Sequence, residues 1–117
     1  MIVNLLVVGA GGAVGSMLRY AVQRGFNSSL FPYGTIAVNI AGCFLAGLIA
    51  GALLKTTPQI QLFLITGFCG GFTTFSAFSL ECIQLMQKGQ LLSLAFYIVL
   101  SVGAALLAAF FGFKIST

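Results

Sequence analysis

An all-helical integral membrane domain of four spans is the fold class this chain predicts, and three observations carry that expectation. Of 117 residues 60% are hydrophobic and only 5% charged, with a mean hydropathy of +1.15, far outside the soluble range. The apolar residues gather in four runs, each near the roughly 20 residues that cross about 30 Å of hydrocarbon. The connections are short and polar: "RGFNSSLFP", "KTTPQ" and "QKGQ". Lipid offers no partner to a free N–H or C=O, so such runs are helices. Residues 1–117 therefore form a single transmembrane domain without room for a soluble catalytic unit, and an enzyme is not expected.

Hydropathy and punctuation place the spans at roughly 2–22, 34–54, 60–86 and 91–113. The first lacks a basic leader and reads as a retained helix, not a cleaved signal. On one face of the membrane lie Lys55 and Lys114, and on the other Arg19, Arg24 and Lys88. So small a bias leaves both insertion directions open, which admits antiparallel pairs of one chain. The net charge of +4 is divided between the faces and does not suggest nucleic acid.

Cys43, Cys69 and Cys82 fall inside the spans, without a CxxC pair and without any histidine, so a transition-metal or iron–sulfur site is not expected. They read as small apolar residues. "VVGAGGAVG", residues 7–15, imitates a dinucleotide-binding turn, but Val14 stands where the third glycine belongs, and the chain's only acid is Glu81. Close helix packing explains the glycines better: Gly11 and Gly15, like Gly47 and Gly51, are small residues one turn apart.

Polar groups inside lipid mark candidate sites. Asn39 is the strongest, because lipid satisfies neither its donors nor its acceptor. Thr66, Thr73, Thr74, Ser76, Ser79 and Glu81 lie in the third span, and Tyr97 and Ser101 in the fourth. For the hydroxyls, bonds to their own helix compete with a pathway role. Arg19 either snorkels to head groups or draws anions to a vestibule. Glu81 either pairs with Lys88, two turns on, or lies along a permeation path.

The third span contains "GFCGGFTTFSAFS", residues 67–79. Gly67, Gly70 and Gly71 weaken the helix and Thr73 and Thr74 are β-branched, so this span is expected to break at its centre. A break frees carbonyls, which are natural ligands for a small hard cation, and two chains would supply more of them. Phe75 and Phe78 stand three apart beside Ser76 and Ser79. Packing is their usual use, but in a pore the positive ring edge attracts a small anion and hydroxyls continue the path. The scarcity of acids favours an anion route over a cation or proton route.

"GGAVGSMLRY", "GTIAVNIAGCFLAG" and "GFCGGFTTFSAFS" together resemble the Fluc family of small bacterial fluoride channels, also called CrcB, over essentially the whole chain. The resemblance implies a dual-topology antiparallel homodimer in the bacterial inner membrane, with two fluoride pores and a central structural sodium ion. It implies that the carbonyls of Gly70 and Thr73 hold the sodium, that Phe75 and Phe78 form the pore's aromatic pair, and that Asn39 is its asparagine. Ser76, Ser79, Glu81, Tyr97 and Ser101 match the polar track, and Arg19 the vestibule arginine. Ala77 departs from the family's usual Thr. The implied mechanism is passive, fluoride-selective conduction that releases anion trapped when hydrogen fluoride enters from acid and ionises. The competing class, small exporters that exchange organic cations for protons, needs a carboxylate in the first span, which has none.

Overall fold

The computed structural model describes residues 1–52 and 55–117. Its elements are α1 (Ile2–Phe26), α2 (Tyr33–Gly51), α3 (Pro58–Gln61), a π-helical segment (Leu62–Cys69), α4 (Gly70–Phe72), α5 (Ser76–Gln87) and α6 (Leu91–Ser116). Among the described residues four helical stretches are long and apolar enough to cross a membrane: α1, α2, the broken span Pro58–Gln87, and α6. The chain is a multi-pass membrane protein.

The first helix runs past Val22 to Phe26, absorbing the start of the expected loop. What remains of that loop is closed by Ser28, whose Oγ accepts from the amides of Leu30 and Phe31. The expected end of the second span falls on Leu53 and Leu54, outside the described residues. The third span opens with Pro58 in the first helical turn, where its missing N–H costs nothing, and the Thr57 hydroxyl caps the Ile60 amide at 3.3 Å. Between the third and fourth spans Gly89 turns the chain at φ +72°, a conformation that disfavours any side chain.

The helices associate as two close pairs, α1 against residues 62–72 and α2 against α6. Glycine makes both approaches. A Cβ on Gly11 or Gly15 would run into the carbonyls of Phe63 or Phe68, and one on Gly47 or Gly112 into those of Ala109 or Phe44. These are the backbone contacts that small residues permit in lipid, where helices gain from packing and not from hydrophobic burial. The sequence expectation for Gly11, Gly15, Gly47 and Gly51 is met: at Gly51 the neighbours are Phe113 and Ser116 of α6.

The third span breaks, but not at a glycine. Gly70 is helical (φ −61°, ψ −36°), and the chain leaves the helix at Thr73 (φ −83°, ψ 157°), re-entering at Ser76. Glycine lowers the cost of bending, but side-chain groups that replace the lost backbone bonds decide where a helix stops.

Candidate functional site

Those replacement groups define the site. The amide and hydroxyl of Thr73 both donate to the Cys69 carbonyl, at 2.9 and 2.8 Å, closing the first half of the span. Asn39 of α2 then takes the place of a helical turn: its Oδ1 accepts from the Thr74 amide at 2.7 Å and its Nδ2 donates to the Thr74 carbonyl at 3.0 Å. Thr74 Oγ1 accepts from the Ala77 amide at 3.0 Å, capping α5. The Thr74 and Ala77 amides are thereby drawn away from the carbonyls of Gly70 and Thr73, their partners in an unbroken helix. Arg19 Nε donates to the Gly71 carbonyl at 2.9 Å, placing a cation at the negative end of the first half-helix. Gly42 leaves the space that Thr73 occupies, since a Cβ there would meet Thr73 Cγ2.

A groove of about 290 Å³ opens beside the break, lined by Asn39, Cys43, Thr73, Thr74, Phe75, Phe78, Ser101, Val102, Ala105 and Leu106. Phe75 and Phe78 are neighbours, with ring centroids 5.5 Å apart and planes at 45°. Their surroundings differ: Phe75 is 75% exposed, whereas Phe78 is 8% exposed and packs with Ile36, Leu85 and Tyr97. Phe78 therefore serves the core as well as the groove. The Oγ of Ser101 is buried without a hydrogen-bond partner among the described residues, an unused donor and acceptor at the groove wall. The positive N-terminal end of α5 lies at the same place.

Behind Phe78 sits the chain's single carboxylate. Glu81 Oε1 accepts from Tyr97 Oη at 2.8 Å, and Oε2 accepts from Thr35 Oγ1 and Asn27 Nδ2, each at 3.0 Å. Tyr97 and Thr35 are wholly buried. The ring of Tyr97 lies 5.1 Å from that of Phe78, so the carboxylate cluster and the groove share a wall. Glu81 also borders two cavities, about 210 Å³ with Lys88 and about 320 Å³ with Arg24.

Sequence-predicted residues thus divide into three places. Asn39, Thr73, Phe75, Phe78 and Ser101 come to the groove; Glu81 and Tyr97 to the cluster; Gly70 and Arg19 to the break. Ser76 and Ser79 are not in the groove's lining; Ser76 is exposed with its Oγ 3.2 Å from Thr74 Oγ1, and Ser79 is half-buried. Arg19 holds the Gly71 carbonyl and the Gln23 side chain. Lys88 donates to the Ser29 carbonyl at 2.9 Å, so Glu81 takes neutral donors instead of that ammonium. Ala77 borders the Arg24 cavity and not the groove, so the departure from Thr falls away from the aromatic pair. Cys43, Cys69 and Cys82 are free thiols, and Cys43 faces the groove. Among the described residues no cluster of His, Cys, Asp and Glu could hold a metal.

Gln23, Asn27, Thr35 and Thr74 carry much of this network, and of these only Thr74 stood out as a candidate in the sequence. Thr35 had a detectable signal: it lies one turn before Asn39 on the same face of α2.

The model of the family described as "CrcB-like protein, Camphor Resistance (CrcB)" matches residues 6–113. A protein of Rhizobium meliloti (strain 1021) named "Fluoride-specific ion channel FluC" is 49% identical, with 93% of this chain and 92% of the relative covered. One of Flavobacterium psychrophilum bearing the same name is 47% identical, over 97% of this chain and 96% of the relative. A third, from Rhizobium etli, is 44% identical over 97% and 95%. A four-span membrane fold, a third span broken beside an asparagine, and likeness along nearly the whole length lead to one conclusion: the chain belongs to the CrcB family, a family of ion channels and not of enzymes.

Proposed function

We propose that this chain conducts fluoride passively across the bacterial inner membrane, as an antiparallel homodimer with two ion paths and a central structural sodium ion. The observation that carries the reading is the groove where Asn39, the Phe75–Phe78 pair and the Ser101 hydroxyl, unpartnered among the described residues, converge. Its electrostatics suit a small, strongly accepting anion: aromatic edges are positive, the α5 terminus is positive, and Ser101 has a proton to donate. Relatives of similar length are named as fluoride channels. Release of the anion left when hydrogen fluoride ionises in the cytoplasm gives the activity its use.

A second copy is supported by exposure. Gly70 and Phe75 face outward from a single chain, and the groove is open there. The near balance of Lys and Arg across the membrane lets the second copy insert in the opposite sense. Ser76, Ser79, Glu81 and Tyr97 would extend the path from the groove, with Arg19 at its vestibule.

The carbonyls of Gly70 and Thr73 fit a sodium site. Both lose their helical donors to Asn39 and Thr74, and backbone oxygen is the ligand type that hard cations prefer. One chain contributes two such oxygens, so a site between copies is better provided than one within a chain. Bound there, the ion would supply positive charge to the exposed carbonyl ends of both broken helices.

Proton-coupled export of organic cations is the poorer reading, because α1 has no acid and Glu81 is held by three donors. Proteoliposomes separate the two. Loaded with fluoride and given a potassium ionophore, they should release fluoride to an electrode while chloride stays inside. Retention of fluoride, with organic cation uptake under an imposed proton gradient, would reject the proposal.

A further inference from the structure

One residue joins the helix break to the carboxylate cluster, and neither site explains it. Gln23 lies on α1, one turn after Arg19. Arg19 Nη1 donates to Gln23 Oε1 at 3.3 Å, while the same guanidinium's Nε is on the Gly71 carbonyl. Gln23 Nε2 donates to Thr35 Oγ1 at 3.0 Å, and Thr35 Oγ1 donates to Glu81 Oε2 at 3.0 Å.

The direction of each bond is fixed by chemistry. A carboxylate only accepts, so the single proton of Thr35 points to Glu81 and its lone pairs face the amides of Gln23 and Asn27. A guanidinium only donates, so the carbonyl oxygen of Gln23 must turn to Arg19 and its amide nitrogen to Thr35. Every link therefore donates from cation toward anion, an arrangement in which each bond polarises the next.

We infer that Gln23 is a positioning residue of the conduction path, which couples Arg19 to Glu81 through Thr35. The chain's one carboxylate lies behind the wall of a groove read as an anion path, where an uncompensated negative charge would repel the anion. The relay brings it the field of a cation that never touches it, and pins Oε2 on the side away from Tyr97. Gln23 thus keeps the carboxylate in place and electrostatically balanced. This inference rests on the fluoride-channel reading given above.

The test compares the parent with Gln23→Met, Glu81→Gln and the double variant, by fluoride efflux from proteoliposomes and by infrared spectroscopy. Met keeps the length of the side chain and removes both links; Gln23→Leu is the second single variant, which also lacks both links and adds no second glutamate. Because Glu81 is the only Asp or Glu in the chain, carbon-13 glutamate gives a carboxylate band belonging to one residue. Each Gln23 variant should lower flux at least fivefold and shift that band, and the double variant should be no slower than the slower of its parents. A fall below fivefold, an unmoved band, or losses that multiply in the double variant would overturn the inference, since a packing role alone predicts independent losses. A parent protein that passes no fluoride would instead remove the channel reading, while the band shift still reports whether Gln23 controls Glu81.

Discussion

Asn39 and Thr74 bind each other through two hydrogen bonds, Thr74 N to Asn39 Oδ1 at 2.7 Å and Asn39 Nδ2 to Thr74 O at 3.0 Å. A side chain of one span thereby substitutes for the backbone partners that another span gives up. Irregular backbone at membrane depth survives only with such partners. Replacing Asn39 by Leu leaves the amide and carbonyl of Thr74 unsatisfied. The purified protein should lose about 2 kcal/mol of stability in thermal unfolding, and fluoride flux should fall with it.

The aromatic pair makes a sharper separation. Phe75 is exposed in the single chain and Phe78 is core. Phe75→Ile should leave monomer stability within about 0.5 kcal/mol of the parent, whereas Phe78→Ile should cost about 1.5 kcal/mol. If ring edges attract the anion, both variants lose fluoride flux. Equal flux in the Phe75 variant would assign that ring to packing between copies.

Gly47 tests the packing of α2 on α6. Any side chain at that position meets the Ala109 carbonyl, so Gly47→Val forces the helices apart. The expected cost is about 1–3 kcal/mol, read as a lowered unfolding temperature in detergent. Gly103, with open space around its missing Cβ, is the control, and Gly103→Ala should be nearly silent.

Removal of sodium tests the carbonyl site. With choline replacing sodium throughout, the solubilised protein should unfold at lower temperature, and added sodium should restore it in a saturable manner. Equal stability in both salts would leave the carbonyls of Gly70 and Thr73 without that ligand.

Much of this was legible in the sequence. Four spans follow from hydropathy, because lipid forces helices on apolar runs. The glycine pairs pointed to close packing, and Asn39 to an interface. The break lies at the expected centre of the third span, at the β-branched Thr73 and not at Gly70, because Thr73 stops the helix through bonds to Cys69 with the support of Asn39, a residue remote in sequence. The π-helical stretch over Leu62–Cys69 carries no marker in its composition. Gln23 and Asn27 give no signal in the sequence, because they sit at a span end, where polar residues are ordinary; only the fold brings Asn27 to Glu81 and Gln23 to Thr35. Lys88 has the spacing to pair with Glu81, yet a loop carbonyl takes it.

The proposed function is selective anion conduction through the groove. Its most direct measurement is the reversal potential of current across a planar bilayer containing the purified protein, with fluoride on one side and chloride of equal concentration on the other. The expected current is carried by fluoride alone, reverses far toward the fluoride equilibrium potential and is reduced in the Phe75→Ile protein. A reversal near zero, as a path open equally to both anions or a path for cations would give, would contradict it.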